Sequence, residues 1–248
     1  GELTLIASNF EIRGQEDVSH NIIISGRSNK VYGGKLSDSI QESALRGNTN
    51  EFHGGDGDDI LILRSSNSLS YGEAGNDILT SYGAANHLFG GDGDDVFNTY
   101  ASSIRSYGGA GNDIFNISGD GNRIYGNDGD DTFNIIQGGS NTIDGGTGTN
   151  TVTGTVGTNT TINVIGANSG SVSLTKGVEQ VVNINGIDYT MSTESTTATV
   201  IYSIDDSGRI TFSMSSDKAV IKGDVNKKHN VELGNNVTFY GGNKGDTV

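Results

Sequence analysis

Large apolar residues recur at one interval through the middle of the chain. Leu61, Leu79, Phe97, Phe115 and Phe133 stand 18 residues apart. Eighteen residues are enough for two short strands and two tight turns, one full coil of a solenoid. A second, looser series, Val31, Phe52, Leu88, Ile124 and Ile143, marks the other strand of each coil, with Ser70 and Ser106 interrupting it. Coils stacked about 4.8 Å apart would turn each series into a continuous apolar ladder, and two thin sheets sandwiching the ladders would form the core. After Asn150 the pattern changes to Thr, Val, Asn and Ile. Val181–Met191 alternates around Asn185-Gly186, a favoured two-residue hairpin turn, and Thr199–Met214 reads as a second hairpin around Asp205–Gly208. The expected fold class is all-β: a parallel roll of 18-residue coils with an antiparallel elaboration after it.

Between the apolar positions the turns repeat almost letter for letter. Gly54 opens GGDGDDILI, Gly72 GEAGNDILT, Gly90 GGDGDDVFN, Gly108 GGAGNDIFN and Gly126 GNDGDDTFN. Two decayed copies flank them, GGKLSDSIQ from Gly33 and GGTGTNTVT from Gly145. The intervening half-coils lack this motif and place Asn29, Asn50, Asn86, Asn122 and Asn141 near their apolar residue, where asparagine suits a left-handed turn. Any chemistry carried by the motif is therefore expected along one side of the roll.

The composition sharpens this. Only 32% of the 248 residues are hydrophobic, 39 are glycine, and the net charge is −15, a balance that usually means disorder. Nine tyrosines, eight phenylalanines and the strict repeat argue for a fold, provided that something neutralises the acids. Stacking would align Asp59, Asp77, Asp95, Asp113 and Asp131, and carboxylates about 5 Å apart repel by on the order of 1 kcal/mol per pair even in water. Residues 54 to 131 hold thirteen acids against three arginines, a net of −10. A hard cation between turns, held by carboxylate and backbone oxygens, removes the repulsion, and Ca2+ suits flexible carbonyl loops better than Mg2+. The acidity disfavours nucleic acid and anionic membranes as partners. With no cysteine there is no disulfide or cysteine zinc site, no apolar run is long enough to span a bilayer, and Gly1 to Phe10 do not read as a signal peptide.

Each copy resembles the nonapeptide G-G-x-G-x-D-x-U-x, with U a large apolar residue, of the RTX or hemolysin-type calcium-binding family; the likeness covers residues 33 to 153. The resemblance implies a right-handed parallel β-roll with one ion between successive turns. It implies ligands from Gly55, Gly57 and Asp59 with Gly72, Ala74 and Asp77. The next ion would take Glu73 (by its carbonyl), Gly75 and Asp77 with Gly90, Asp92 and Asp95. Then come Gly91, Gly93 and Asp95 with Gly108, Ala110 and Asp113, and last Gly109, Gly111 and Asp113 with Gly126, Asp128 and Asp131. The flanks depart from the pattern: Leu36 replaces a glycine beside Asp38, and Asn150 replaces the last aspartate, so each is a weakened candidate.

The tail repeats the beginning. GELTLIAS from Gly1 matches GRITFSMS from Gly208, EIRGQEDVSHNI from Glu11 matches VIKGDVNKKHNV from Val220, and VYGGKLSDSI from Val31 matches FYGGNKGDTV from Phe239. The expected organisation is an N-terminal β cap over 1–32, a calcium-binding roll over 33–153, a hairpin-rich elaboration over 154–207 and the start of a second unit over 208–248. Gly1 and Val248 are then expected to be boundaries within a longer protein, which accounts for the missing targeting signal. Tyr32, Tyr71, Phe89, Tyr107 and Tyr125 form an aromatic column with His53 interrupting, read as stacking rather than a sugar platform, and Asn98, Asn116 and Asn134 read as an amide ladder. No HExxH, nucleophile elbow or phosphate loop occurs, so no enzyme is expected. The leading expectation is a calcium-rigidified repeat of a secreted, bacterial cell-surface adhesin or surface layer, meeting glycans or other surface proteins through its parent. The alternatives are the secretion module of a type I secreted toxin or hydrolase, and a carbohydrate-active solenoid enzyme.

Overall fold

The computed structural model describes residues 2–6, 8–43, 49–155, 161–165, 168–177, 179–205, 207–214, 218–224, 226–234, 236–241 and 246; at 155, 161–165 and 175 it describes the backbone. The first coils hold β1 (Glu2–Leu5), β2 (Glu11–Arg13), β3 (Asn21–Ile24), β4 (Lys30–Gly34), β5 (Ser39–Glu42) and β6 (Glu51–Asp56). The regular coils hold β7 (Ile60–Leu63), β8 (Leu69–Ala74), β9 (Ile78–Ser81), β10 (His87–Asp92), β11 (Val96–Thr99), β12 (Arg105–Ala110), β13 (Ile114–Ser118) and β14 (Arg123–Asp128). Next come β15 (Thr132–Gln137), β16 (Thr142–Asp144), β17 (Thr151–Thr155), β18 (Thr161–Ile165), β19 (Ser169–Thr175) and β20 (Gln180–Ile184). The last are β21 (Ile187–Thr193), β22 (Thr197–Ile204), β23 (Ile210–Met214), β24 (Ala219–Gly223), β25 (Val231–Leu233) and β26 (Val237–Tyr240). They form two sheets, and through β20 odd strands stack in parallel in one and even strands in the other.

Both apolar ladders stand in register. Leu61, Leu79, Phe97, Phe115 and Phe133 pair in sequence, extended by Ile22 and Ile40 before them and Val152 after, all buried. The opposite ladder runs Val31, Phe52, Ser70, Leu88, Ser106, Ile124, Ile143, with both serines buried in it. The first ladder ends at Gly170, where a methyl group would meet the ring of Tyr202 from β22. There the architecture turns antiparallel. β20 folds back into β21 through Asn185 and Gly186, with φ of 48° and 81°, the left-handed pair of a two-residue hairpin. β22 and β23 form the second hairpin, and Asp205 closes its turn by accepting hydrogen bonds from the backbone N–H of Ser207 (2.9 Å) and Arg209 (3.0 Å); position 206 lies outside the described residues. β25 and β26 then resume parallel pairing on β23 and β24. Parallel coils thus extend on both sides of the 33–153 segment.

Two expectations about side chains change. The asparagines of the half-coils are not the left-handed residues: Ser28, Ala85, Gly121 and Ser140, each one position earlier, take positive φ. The asparagines instead turn inward and are buried, each Oδ1 accepting a backbone N–H from the preceding coil. His53 does not interrupt the aromatic column but stacks within it, 4.6 Å from both Tyr32 and Tyr71, and the stack continues through Phe89, Tyr107 and Tyr125. The amide ladder is present, with Asn116 Nδ2 donating to Asn98 Oδ1 at 3.0 Å and Asn134 Nδ2 to Asn116 Oδ1 at 3.1 Å.

Candidate metal centre

The glycine-aspartate turns connect each even strand to the next odd strand, so the parallel register stacks them along one edge. Asp38, Asp59, Asp77, Asp95, Asp113 and Asp131 form a buried column there. Each Oδ1 accepts the backbone N–H of its counterpart one coil back: Asp59 N donates to Asp77 Oδ1 (2.7 Å), Asp77 N to Asp95 Oδ1 (2.7 Å), Asp95 N to Asp113 Oδ1 (2.8 Å) and Asp113 N to Asp131 Oδ1 (2.9 Å). The other oxygen is left over. Oδ2 of all six aspartates is buried without a hydrogen-bond partner among the described residues. A buried carboxylate oxygen in that condition is costly unless something positive meets it.

The backbone adds oxygens to the same gaps. A methyl group on Gly90 would strike Asp95 Oδ2 and Gly108 O, and the same pair of obstacles recurs at Gly54, Gly72, Gly108 and Gly126. Glycine is therefore required by close approach, and the first-position carbonyl faces the coil behind. Third-position carbonyls also face back, accepting Gly57 N on Ala74 O (2.8 Å), Gly75 N on Asp92 O (2.8 Å), Gly93 N on Ala110 O (2.7 Å) and Gly111 N on Asp128 O (2.9 Å). The carbonyls of Glu73 and Gly91, and of Gly57, Gly75, Gly93 and Gly111, face forward onto the next coil. Each gap thus collects carboxylate and carbonyl oxygens from both turns. That all-oxygen, mixed donor set fits a hard cation of the size of calcium, and an orphaned Oδ2 in every coil fits its charge. Among the described residues no three Asp, Glu or His side chains cluster by themselves, so a gap offers two aspartates and would need backbone carbonyls for the rest of a coordination shell.

Without a cation, burial first and then neighbouring acids push Asp95 up to about 8, Asp59 and Asp113 to about 7, and Asp77 and Asp131 to about 6, against the opposing backbone hydrogen bond.

The opposite edge has a similar hydrogen-bond design with amides in place of carboxylates, interrupted by Ser68 and Ile104. Asn86 Nδ2 donates to Ser65 O (2.8 Å) and Gly83 O (3.1 Å), so the atom corresponding to the orphaned Oδ2 brings its own proton. That edge has no comparable deficit of positive charge. The flanks of the acidic edge are also weaker in geometry. Asp38 keeps an orphaned Oδ2, but the atoms nearest to a methyl group on Gly57 would be Ser37 N and Leu36 C, whereas at Gly75, Gly93 and Gly111 the nearest is a carbonyl oxygen. Asn150 accepts from Asp131 N through Oδ1 (2.8 Å) and donates Nδ2 to Thr147 O (3.1 Å).

Two features went unread in the sequence. The fifth motif position alternates Asp58, Asn76, Asp94, Asn112, Asp130, hydrogen-bonded coil to coil, and the third alternates Asp56, Ala74, Asp92, Ala110, Asp128. Every gap therefore joins an acid-rich to an acid-poor turn, and no two outer carboxylates of one column are adjacent; the 36-residue period was visible. His20, standing 18 residues before Asp38, takes an aspartate's place in the column, donating its backbone N–H to Asp38 Oδ1 at 2.5 Å.

A buried aspartate column on one edge of a parallel β-solenoid, with carbonyls converging between its coils, defines a calcium-binding β-roll. The family model for the RTX calcium-binding nonapeptide repeat matches four copies over residues 47–67, 70–101 and 137–161, and the chain carries repeats of that family, which bind Ca2+. The copies at Gly108 and Gly126 fall between the matched segments and share the register and hydrogen bonds of the others. No curated protein and no solved structure gives a match.

Proposed function

We propose that this chain is a calcium-dependent structural repeat of a large extracellular protein, adhesin-like or surface-layer-like, that folds and stiffens when it meets calcium outside the cell. The observation that carries the reading is the column of buried, orphaned Oδ2 atoms: the fold concentrates carboxylates that, once ionised, call for a cation between coils. The ligands are those that the resemblance implies, from Gly55 through Asp131, in four full sites. RTX repeats occur typically in secreted bacterial proteins, which supports an extracellular setting. The aromatic column supports stiffening over sugar binding. Rings stacked at 4.6–5.0 Å cover one another's faces, and Arg13 covers the end face of Tyr32 at 4.1 Å, so the rings inside the stack present only their edges to a sugar.

The tandem organisation is part of the proposal. β23 to β26 repeat the pairing of β1 to β4, and His229 N donates to Asp246 Oδ1 at 3.0 Å as His20 N does to Asp38 Oδ1. Residues 242–245, 247 and 248 of the matching segment lie outside those described. Anomalous scattering from calcium-soaked crystals tests the reading: ions are expected between 54–59 and 126–131 on the aspartate edge. An absence of ions, or equal numbers on both edges, would overturn it.

A further inference from the structure

We infer that His20 and Asn150 are terminators of the ion column: each puts an N–H donor where the other coils put a bare carboxylate oxygen, which closes the gaps 20–38 and 131–150 to an ion. This rests on the calcium reading above.

His20 occupies an aspartate's seat. A methyl group on Gly14 would strike the His20 ring and Gly33 O, just as one on Gly54 would strike Asp59 Oδ2 and Gly72 O. Gln15 N donates to His20 Nε2 (3.1 Å), which leaves the ring proton on Nδ1, 2.9 Å from Asp38 Oδ1. The imidazole therefore donates to Asp38 in its neutral form, and the gap between coils 20 and 38 contains a donor where later gaps face two carboxylates. No titration is needed for this.

Asn150 closes the other end. Its Oδ1 keeps the aspartate's role toward Asp131 N, while Nδ2 lies against Gly145 in the place of Oδ2 and donates to Thr147 O (3.1 Å). Thr147 is the third motif position, whose carbonyl belongs to the gap with Asp131. Asn127 O, another oxygen of that gap, already accepts Thr147 N at 2.7 Å. One coil further, Asn168 Nδ2 donates to Gly148 O (3.0 Å), so amide protons go on replacing the cation. The backbone placement recurs at the end of the chain, with His229 over Gly223 and Asp246 over Gly241. The ring there is turned differently: His229 Nε2 donates to Asp224 O at 2.8 Å, Nδ1 faces the Tyr189 hydroxyl at 3.5 Å, and it is the backbone N–H that reaches Asp246 Oδ1.

Calcium titration of the full chain by calorimetry, with bound ions counted by native mass spectrometry, tests the inference. His20→Asp and Asn150→Asp should each bind one calcium more than the parent chain, and the double variant two more. Asn150→Asp changes one side-chain group for another of the same size, so it keeps the test open if His20→Asp fails to fold. If the parent chain binds calcium and the folded variants bind no more, the terminator assignment is wrong while the calcium reading stands. If the parent chain binds none, the calcium reading itself fails and the terminators with it.

Discussion

Asp95 shows how much one side chain carries. Its Oδ1 faces Asp77 N in the coil behind, its backbone N–H donates to Asp113 Oδ1 in the coil ahead, and its Oδ2 lies over Gly90. It borders two gaps, so Asp95→Ala should lose two calcium ions in a calorimetric titration; a loss of one or none would contradict a shared ladder. The raised carboxyls also set a pH dependence. A carboxyl whose folded pKa lies above its unfolded value adds stability that is full below about pH 4 and lost as pH rises through the folded pKa. With folded values of about 6 to 8, the calcium-free chain should be more resistant to urea at pH 5 than at pH 8, whereas calcium affinity should change the other way, falling as pH is lowered from 8 to 5 and protons compete for the carboxylates. Calcium-free stability that rises from pH 5 to pH 8 would contradict the buried column. The aspartates were legible because their residue type and interval repeat. His20 was not, since histidine breaks the motif and its Gly14 seat lies six residues back instead of five.

At the scale of a strand and its turn, glycine and the apolar ladder do separate work. Gly90→Ala should disrupt ion binding, because its methyl group meets Asp95 Oδ2 and Gly108 O. Gly121→Ala makes the control. Nothing lies within 4 Å of the new methyl and φ is +65°, so the cost should stay near the ~1–2 kcal/mol of a left-handed residue, with ion number unchanged. Phe115→Ala should cost about 3–5 kcal/mol in denaturant unfolding, since its ring is buried and stacked between Phe97 (4.5 Å) and Phe133 (4.9 Å). Equal ion loss in the two glycine variants would mean that crowding at the turn is not what selects glycine. The regular coils and both hairpins could be read from 18-residue spacing and Asn185-Gly186. The longer coil before Asp59 could not. There Glu42 is buried and accepts Asn50 Nδ2 (2.8 Å) and the backbone N–H of Arg64 (2.7 Å) and Ser65 (2.5 Å), and a lone glutamate in a polar stretch gives no sign of that role.

For the whole molecule, the thin core and the net charge of −15 oppose each other. The core is two thin sheets, and the second inward column of the odd strands is part polar, with Ser81 and Thr99 buried beside Ile24, Leu63, Ile117 and Ile135, so the apolar ladders offset only part of the chain entropy while the acidic edge repels itself. A ligand that binds the folded state alone adds RT ln(1 + [L]/Kd), about 1.4 kcal/mol per site at tenfold excess, so four sites would add on the order of 5 kcal/mol, comparable with the stability of a small domain. Millimolar calcium outside a cell reaches that regime and micromolar calcium inside does not. The direct test is circular dichroism with amide hydrogen exchange, first in chelator and then as calcium is added. The account predicts that residues 54 to 134 lose β signal and amide protection in chelator at neutral pH and regain both with calcium. Full β signal and full protection of those residues in chelator would contradict it.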